Sequence, residues 1–130
     1  MGDEQANAAS CRGHVLVADD DPAARASLAR LLQGKGFDVA VADGGESALA
    51  LLQETTPDVL ITDLHMPGLD GLQLLQRARE ETPDLVVVLL TGMAHVDTAV
   101  RAMQLGAEHY LTKPFTKDEL LSAIETHIGR

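Results

Sequence analysis

Residues 57–71, PDVLITDLHMPGLDG from Pro57 to Gly71, decide the fold. Val59 to Ile61 is a short apolar run with two β-branched residues, the pattern of a strand buried on both faces. The run stops at Asp63. Met66-Pro67-Gly68 and Asp70-Gly71 then give turn signals before Leu72, Leu74, Leu75 and Ala78 resume at helical spacing. This order fixes a carboxylate at the carboxyl end of a buried strand, where open α/β sheets take their ligands.

The same rhythm extends in both directions. Upstream, Val15 to Ala18 reads as a strand ending on Asp19, Asp20 and Asp21, and Asp21-Pro22 is a helix N-cap followed by a first-position proline. That helix carries Leu28, Leu31 and Leu32 inward and stops at Gly34 or Gly36. Phe37 to Ala42 alternates like an edge strand exposed on one face, and Gly44-Gly45 leads into a helix with Ala48, Leu49, Leu51 and Leu52. Downstream, Pro83 precedes Leu85 to Leu90, the most hydrophobic strand, which ends at Thr91-Gly92. A fourth helix places Val96, Ala99, Val100 and Met103 on one stripe and breaks at Gly106. Glu108 to Thr112 reads as a fifth, more polar strand followed by Lys113-Pro114. The last helix starts near Lys117, with Leu120, Leu121, Ile124 and Ile128 facing in. Five strands alternating with five helices predict a single α/β domain over 14–130, a doubly wound parallel sheet with right-handed crossovers. Residues 1–13, polar and without periodicity, read as a disordered leader.

Composition narrows the function. Aromatic residues are only 2% of the chain, so the core is built from Leu, Val, Ile, Ala and Met. The net charge of −10 argues against a direct nucleic-acid surface and against an anionic membrane. Cys11 is the only cysteine, which rules out an intramolecular disulfide and points to a reducing compartment. No apolar run is long enough to span a bilayer, and the first residues lack the basic and apolar regions of a secretion signal, so the expected location is cytoplasmic.

In a parallel sheet all strand ends of one kind lie on one edge. Asp19 and Asp20, Asp63, Thr91 and Lys113 therefore converge in one crevice. Carboxylates held ~5 Å apart at an effective dielectric near 20 repel by roughly 3 kcal/mol per pair, so such a cluster calls for a cation. Hard oxygen ligands with room for water point to Mg²⁺. The five histidines, at 14, 65, 95, 109 and 127, show no zinc-ligand spacing. Phosphoryl transfer fits this set: a carboxylate nucleophile, a cation bridging oxygens, and Lys and Thr donors for the charge of a loose transition state. Asp21 reads as a helix cap rather than a ligand, and Asp70 as a turn residue beside Gly71.

VLVADDDP, ITDLHMPGLDG, VVVLLTG and HYLTKPF, in this order, closely resemble the receiver domains of two-component response regulators, over the chain from Val15 to Ile128. The resemblance implies a flavodoxin-like (βα)5 sheet of strand order 2-1-3-4-5. It implies that Asp63 is the phosphoacceptor and that Mg²⁺ is held by Asp20 directly, by Asp19 largely through water, by Asp63 and by the backbone carbonyl of His65. Thr91 and Lys113 would contact the phosphoryl oxygens, a cis peptide would join Lys113 to Pro114, and Tyr110 would turn inward as Thr91 is drawn to the phosphate. The donor would be a sensor histidine kinase or a phosphotransfer protein. The readout would be the face of the fourth helix, fifth strand and fifth helix, which would serve an output domain, an effector or a homodimer. Such a chain catalyses only its own phosphorylation and dephosphorylation and is no conventional enzyme. An aspartyl-nucleophile Mg²⁺-dependent phosphatase and a non-phosphorylated pseudo-receiver that only binds partners are the competing readings. The first-strand acids are adjacent here, where haloacid-dehalogenase-type phosphatases carry Asp-x-Asp, and a pseudo-receiver would be expected to lose some of these residues. A flavodoxin-like carrier needs phosphate donors in its first loop, where this chain has three aspartates.

Overall fold

The computed structural model describes residues 12–93 and 95–128. Strands and helices alternate along the chain: β1 (His14–Ala18), α1 (Pro22–Gly34), β2 (Asp38–Ala42), α2 (Gly45–Thr55), β3 (Val59–Asp63), α3 (Gly71–Glu81), β4 (Val86–Thr91), α4 (Val96–Gln104), β5 (His109–Thr112) and α5 (Lys117–Ile128). All neighbouring strands pair in parallel, in the order β2-β1-β3-β4-β5. The expected doubly wound sheet is present, with β2 at one edge as its alternation suggested.

Alternation along the central strands sorts the core into two layers. Leu16, Leu60, Val87 and Leu89 face one side, where Leu52 of α2, Leu74, Leu75 and Ala78 of α3 and Ala102 of α4 cover them. Val15, Val17, Val59, Ile61, Val88 and Leu90 face the other, covered by Leu28 and Leu32 of α1 and by Leu120 and Ile124 of α5. Each fully buried Leu or Ile contributes about 1.5–3 kcal/mol relative to exposure, so these two layers hold the sheet between its helices.

Local chemistry sets the helix starts. The Asp21 carboxylate accepts from the Ala23 amide beside Pro22. Asp70 and Gln73 form a reciprocal capping box on α3, and Thr116 and Glu119 bond each other's amides before α5. Of the leader expected over 1–13, residues 1–11 lie outside the described residues, Cys11 among them. Arg12 and Gly13 are tied to the β2 side of the sheet, the Arg12 amide donating to the Gly36 carbonyl and the Asp38 amide to the Gly13 carbonyl. The side chain of Ile128, expected to face in, also lies outside what is described.

The fourth helix differs from the usual meaning of its pattern. An apolar stripe ordinarily marks the face a helix buries, yet Val96, Val100 and Met103 are 78%, 49% and 51% exposed. Leu105 just past the helix packs against the core, and within α4 only Ala102 is fully buried, with Thr98 and Ala99 partly so. Beneath it lies β5, four residues long and only half-buried, which offers little apolar floor.

Candidate functional site

Register brings the acidic residues together. β1 and β3 pair with Ala18 opposite Thr62, so Asp19 and Asp63 emerge side by side at the carboxyl edge. One carboxylate oxygen from each of Asp19, Asp20 and Asp63 lies within 4.8 Å of the others. β4 and β5 pair with Thr91 opposite Thr112, and the Lys113 amide donates to the Thr91 carbonyl at 2.7 Å. The lysine's ammonium reaches Asp63 Oδ1 at 3.0 Å and stands 3.9 Å from Asp19 Oδ2. A cis peptide joins Lys113 to Pro114.

Asp19 is the buried member. It is 2% exposed; its Oδ1 accepts from the Asp21 amide at 2.9 Å, while its buried Oδ2 has no hydrogen-bond partner among the described residues. Burial pushes its carboxyl above the usual carboxylate range. The Asp21 amide opposes that shift, as does Lys113, while the charges of Asp63 and Asp20 add to it. A half-satisfied buried carboxylate is costly, and beside it lie Asp63, partly buried, and Asp20, exposed. Three clustered carboxylates, with Asp20 exposed and Asp19 Oδ2 lacking a hydrogen-bond partner among the described residues, suit a hard divalent cation that keeps several waters. The residues fit Mg²⁺.

The support for this edge was only partly legible beforehand. Arg25 on α1 donates to the Asp19 carbonyl at 2.8 Å and pins the β1–α1 turn, a role that no sequence signal marks. Gly71 reads in sequence as a turn residue, but its position demands the absence of a side chain. A Cβ there would lie 2.6 Å from the Asp63 carbonyl oxygen and 2.8 Å from Leu64 Cα. The Gly71 amide donates to the Leu64 carbonyl at 2.9 Å, which folds the loop tightly back on Asp63.

Thr91 and Tyr110 lie on the neighbouring strands β4 and β5. The buried Thr91 hydroxyl donates to the Met93 carbonyl and accepts from the Met93 amide, both at 3.1 Å, so it is engaged by its own loop. The Tyr110 ring is half-buried against the core, with its hydroxyl buried and without a partner among the described residues. His65 has an exposed side chain in the β3–α3 loop. Beside the cluster, a groove of about 380 Å³ runs between α1 and the start of α5, walled by Leu28, Leu31, Pro114 and Phe115 with Asp19 and Lys113 among its lining.

The family model described as the response regulator receiver domain matches residues 15–125. The chain belongs to that family. Among similar proteins, this receiver domain is 44% identical over 118 residues to the DNA-binding transcriptional regulator NtrC of Salmonella typhimurium, covering 91% of this chain and 25% of that protein. It is 40% identical over 117 residues to the transcriptional regulatory protein FixJ of Bradyrhizobium diazoefficiens, covering 90% of this chain and 57% of that one. The receiver domain thus spans a quarter to about half of these relatives. A crystal structure of a response regulator receiver domain protein from Clostridium thermocellum superposes with a TM-score of 0.86 at 36% identity, covering 90% of this chain and 94% of that one. The Vibrio cholerae chemotaxis protein CheY4 superposes at 0.83 with 28% identity, covering 88% and 97%. Phosphorylation on aspartate is the property this family implies.

Proposed function

We propose that Asp63 accepts a phosphoryl group from a phosphohistidine on a sensor histidine kinase or phosphotransfer protein, and that the modified domain presents an altered α4-β5-α5 face to an output domain, an effector or a second copy of itself. The observation that carries this reading is the 3.0 Å ion pair between Lys113 and Asp63 at the mouth of the three-carboxylate cluster. A carboxylate nucleophile needs no general base. As an Asp63 oxygen forms its bond to phosphorus, the donor's nitrogen–phosphorus bond breaks and the imidazole leaves. Lys113 neutralises the oxygens that gain charge. Asp19, Asp20, Asp63 and the His65 carbonyl are assigned to Mg²⁺, which when bound offsets the carboxylate repulsion and screens the phosphoryl oxygens. The donor must bring its phosphohistidine to Asp63, and the groove walled by Leu28, Leu31, Pro114 and Phe115 supplies apolar contact at that rim.

Thr91 and Tyr110 are assigned to the switch. A phosphoryl group on Asp63 attracts the Thr91 hydroxyl through a charge-assisted hydrogen bond, stronger than the neutral bonds to Met93 that it replaces. The exchange frees the loop that leads into α4, and Tyr110 on β5 fills the space Thr91 leaves. The balance shifts only by the differential affinity of the two states for the phosphoryl group. The exposed Val96, Val100 and Met103 support α4 as the surface that is read. Among the described residues no helix is long and apolar enough to cross a membrane; the proposed place of action is the cytoplasm, on protein partners. The domain modifies itself and turns over no external substrate.

Incubation with acetyl phosphate and Mg²⁺, read as intact mass, should add one alkali-labile phosphoryl group to the wild type and none to Asp63→Asn. Chelation of Mg²⁺ should abolish the addition. Equal, alkali-stable addition to the variant overturns the assignment, and sustained release of phosphate from small phosphate esters would favour the phosphatase reading instead.

A further inference from the structure

Two histidines with no part in the phosphoryl site meet at the other end of the sheet. His109 opens β5 and His127 lies in the last turn of α5, and their Nε2 atoms are 3.1 Å apart. The rings stand edge to face, with centroids 5.1 Å apart and planes at 67°. His109 is half-buried and His127 exposed, so the meeting point is open to solvent on one side. Because the phosphoryl site sits at the carboxyl ends of the strands and His109 at the amino end of β5, the two places are separated by the length of that strand.

We propose that His109 and His127 chelate a divalent transition-metal ion of the kind that prefers imidazole, at a site independent of the acidic cluster. With metal–nitrogen bonds of ~2.05 Å, two nitrogens 3.1 Å apart subtend roughly 98° at a shared ion. Opening the pair by about 0.3 Å gives the tetrahedral angle that Zn²⁺ favours. The backbones that carry the rings are fixed already. His109 pairs with Val88 of β4, and α5 is anchored through fully buried Leu120 and Ile124. Little further ordering is required for both rings to bind at once. Without an ion the two facing nitrogens share one proton at best; a cation engages both lone pairs. Burial, and then the facing His127, lower the tendency of His109 to charge against the opposing pull of Glu108, which keeps its nitrogen available. The donor set excludes Mg²⁺, a hard cation that takes oxygen, and suits Zn²⁺, Cu²⁺ or Ni²⁺. Two protein ligands leave the remaining positions to water, so the ion exchanges readily. The sequence hides this pair because its members are 18 residues apart, outside the short spacings by which zinc sites are read.

The test titrates Zn²⁺ calorimetrically into the full chain in excess Mg²⁺, which competes for the carboxylates, comparing wild type, His109→Gln, His127→Gln and the double variant. A chelate predicts one Zn²⁺ whose affinity falls at least tenfold in either single variant and no further in the double. Unchanged binding in both single variants, or losses that multiply in the double, overturns the site. Thermal denaturation gives a second readout that needs only His127→Gln, an exposed position outside the core. Zn²⁺ should raise the wild-type Tm more than that of the variant, and equal rises overturn the proposal.

Discussion

In α3, Leu74, Leu75 and Ala78 are fully buried, and the first turn is locked by the reciprocal bonds of Asp70 and Gln73. In α4, Val96, Val100 and Met103 face solvent, Ala102 alone is fully buried, and His95 at the N-cap makes no side-chain cap bond. Both helices carry apolar residues at helical spacing, and both follow a strand that ends in a polar residue at the carboxyl edge of the sheet, α3 after Asp63 and α4 after Thr91. The contrast teaches that periodicity reveals an apolar face without naming what covers it. One helix buries its apolar face beside the loop that follows Asp63; the other leaves Val96, Val100 and Met103 exposed.

The largest test of that contrast is truncation within each stripe. Leu75→Ala removes a fully buried side chain and should cost about 2–5 kcal/mol. Val100→Ala should stay within about 0.5 kcal/mol. Urea denaturation reads both, and a large loss for Val100→Ala would show that the α4 stripe is covered after all.

The caps offer a smaller test in both directions. Asp70→Ala removes half of a capping box and should cost about 1 kcal/mol, whereas His95→Ser supplies the bond that α4 lacks and should stabilise by up to about 1 kcal/mol. If both changes are neutral in the same denaturation experiment, capping does not distinguish the helices.

The smallest effect lies on β5. Tyr110→Phe deletes a buried hydroxyl that has no partner among the described residues, so stability should hold or rise by up to about 1 kcal/mol. A loss beyond about 1 kcal/mol in thermal denaturation would mean that the hydroxyl is satisfied in solution.

Much of the fold was legible because its signals are local. The apolar runs Val15–Ala18, Val59–Ile61 and Leu85–Leu90, each closed by a polar residue, mark three buried strands that share one edge. That edge predicted the meeting of Asp19, Asp20, Asp63 and Lys113, because a parallel sheet places the carboxyl ends of its strands on one edge. What escaped the sequence depends on distances between elements. Arg25 reaches the Asp19 carbonyl only because α1 packs where it does, and Gly71 is required by an approach of α3 to β3 that no single-residue signal encodes. The outward turn of the α4 stripe follows from how short and polar β5 is as a floor. The His109–His127 pair is tertiary in the same sense. Thr91 was legible as the polar residue that ends β4, yet its bonds to Met93 were not, since a buried hydroxyl takes whichever backbone partner the loop offers.

The central claim is that a phosphoryl group on Asp63 is read on α4 while α3 stays fixed. Amide chemical shifts recorded with Mg²⁺, before and after adding beryllofluoride as a stable phosphoryl mimic, test it directly. The account predicts large changes from Thr91 through Tyr110, small ones from Leu74 to Glu81, and none of either kind in Asp63→Asn. Changes of equal size in both helices, or a response that persists in Asp63→Asn, would contradict it.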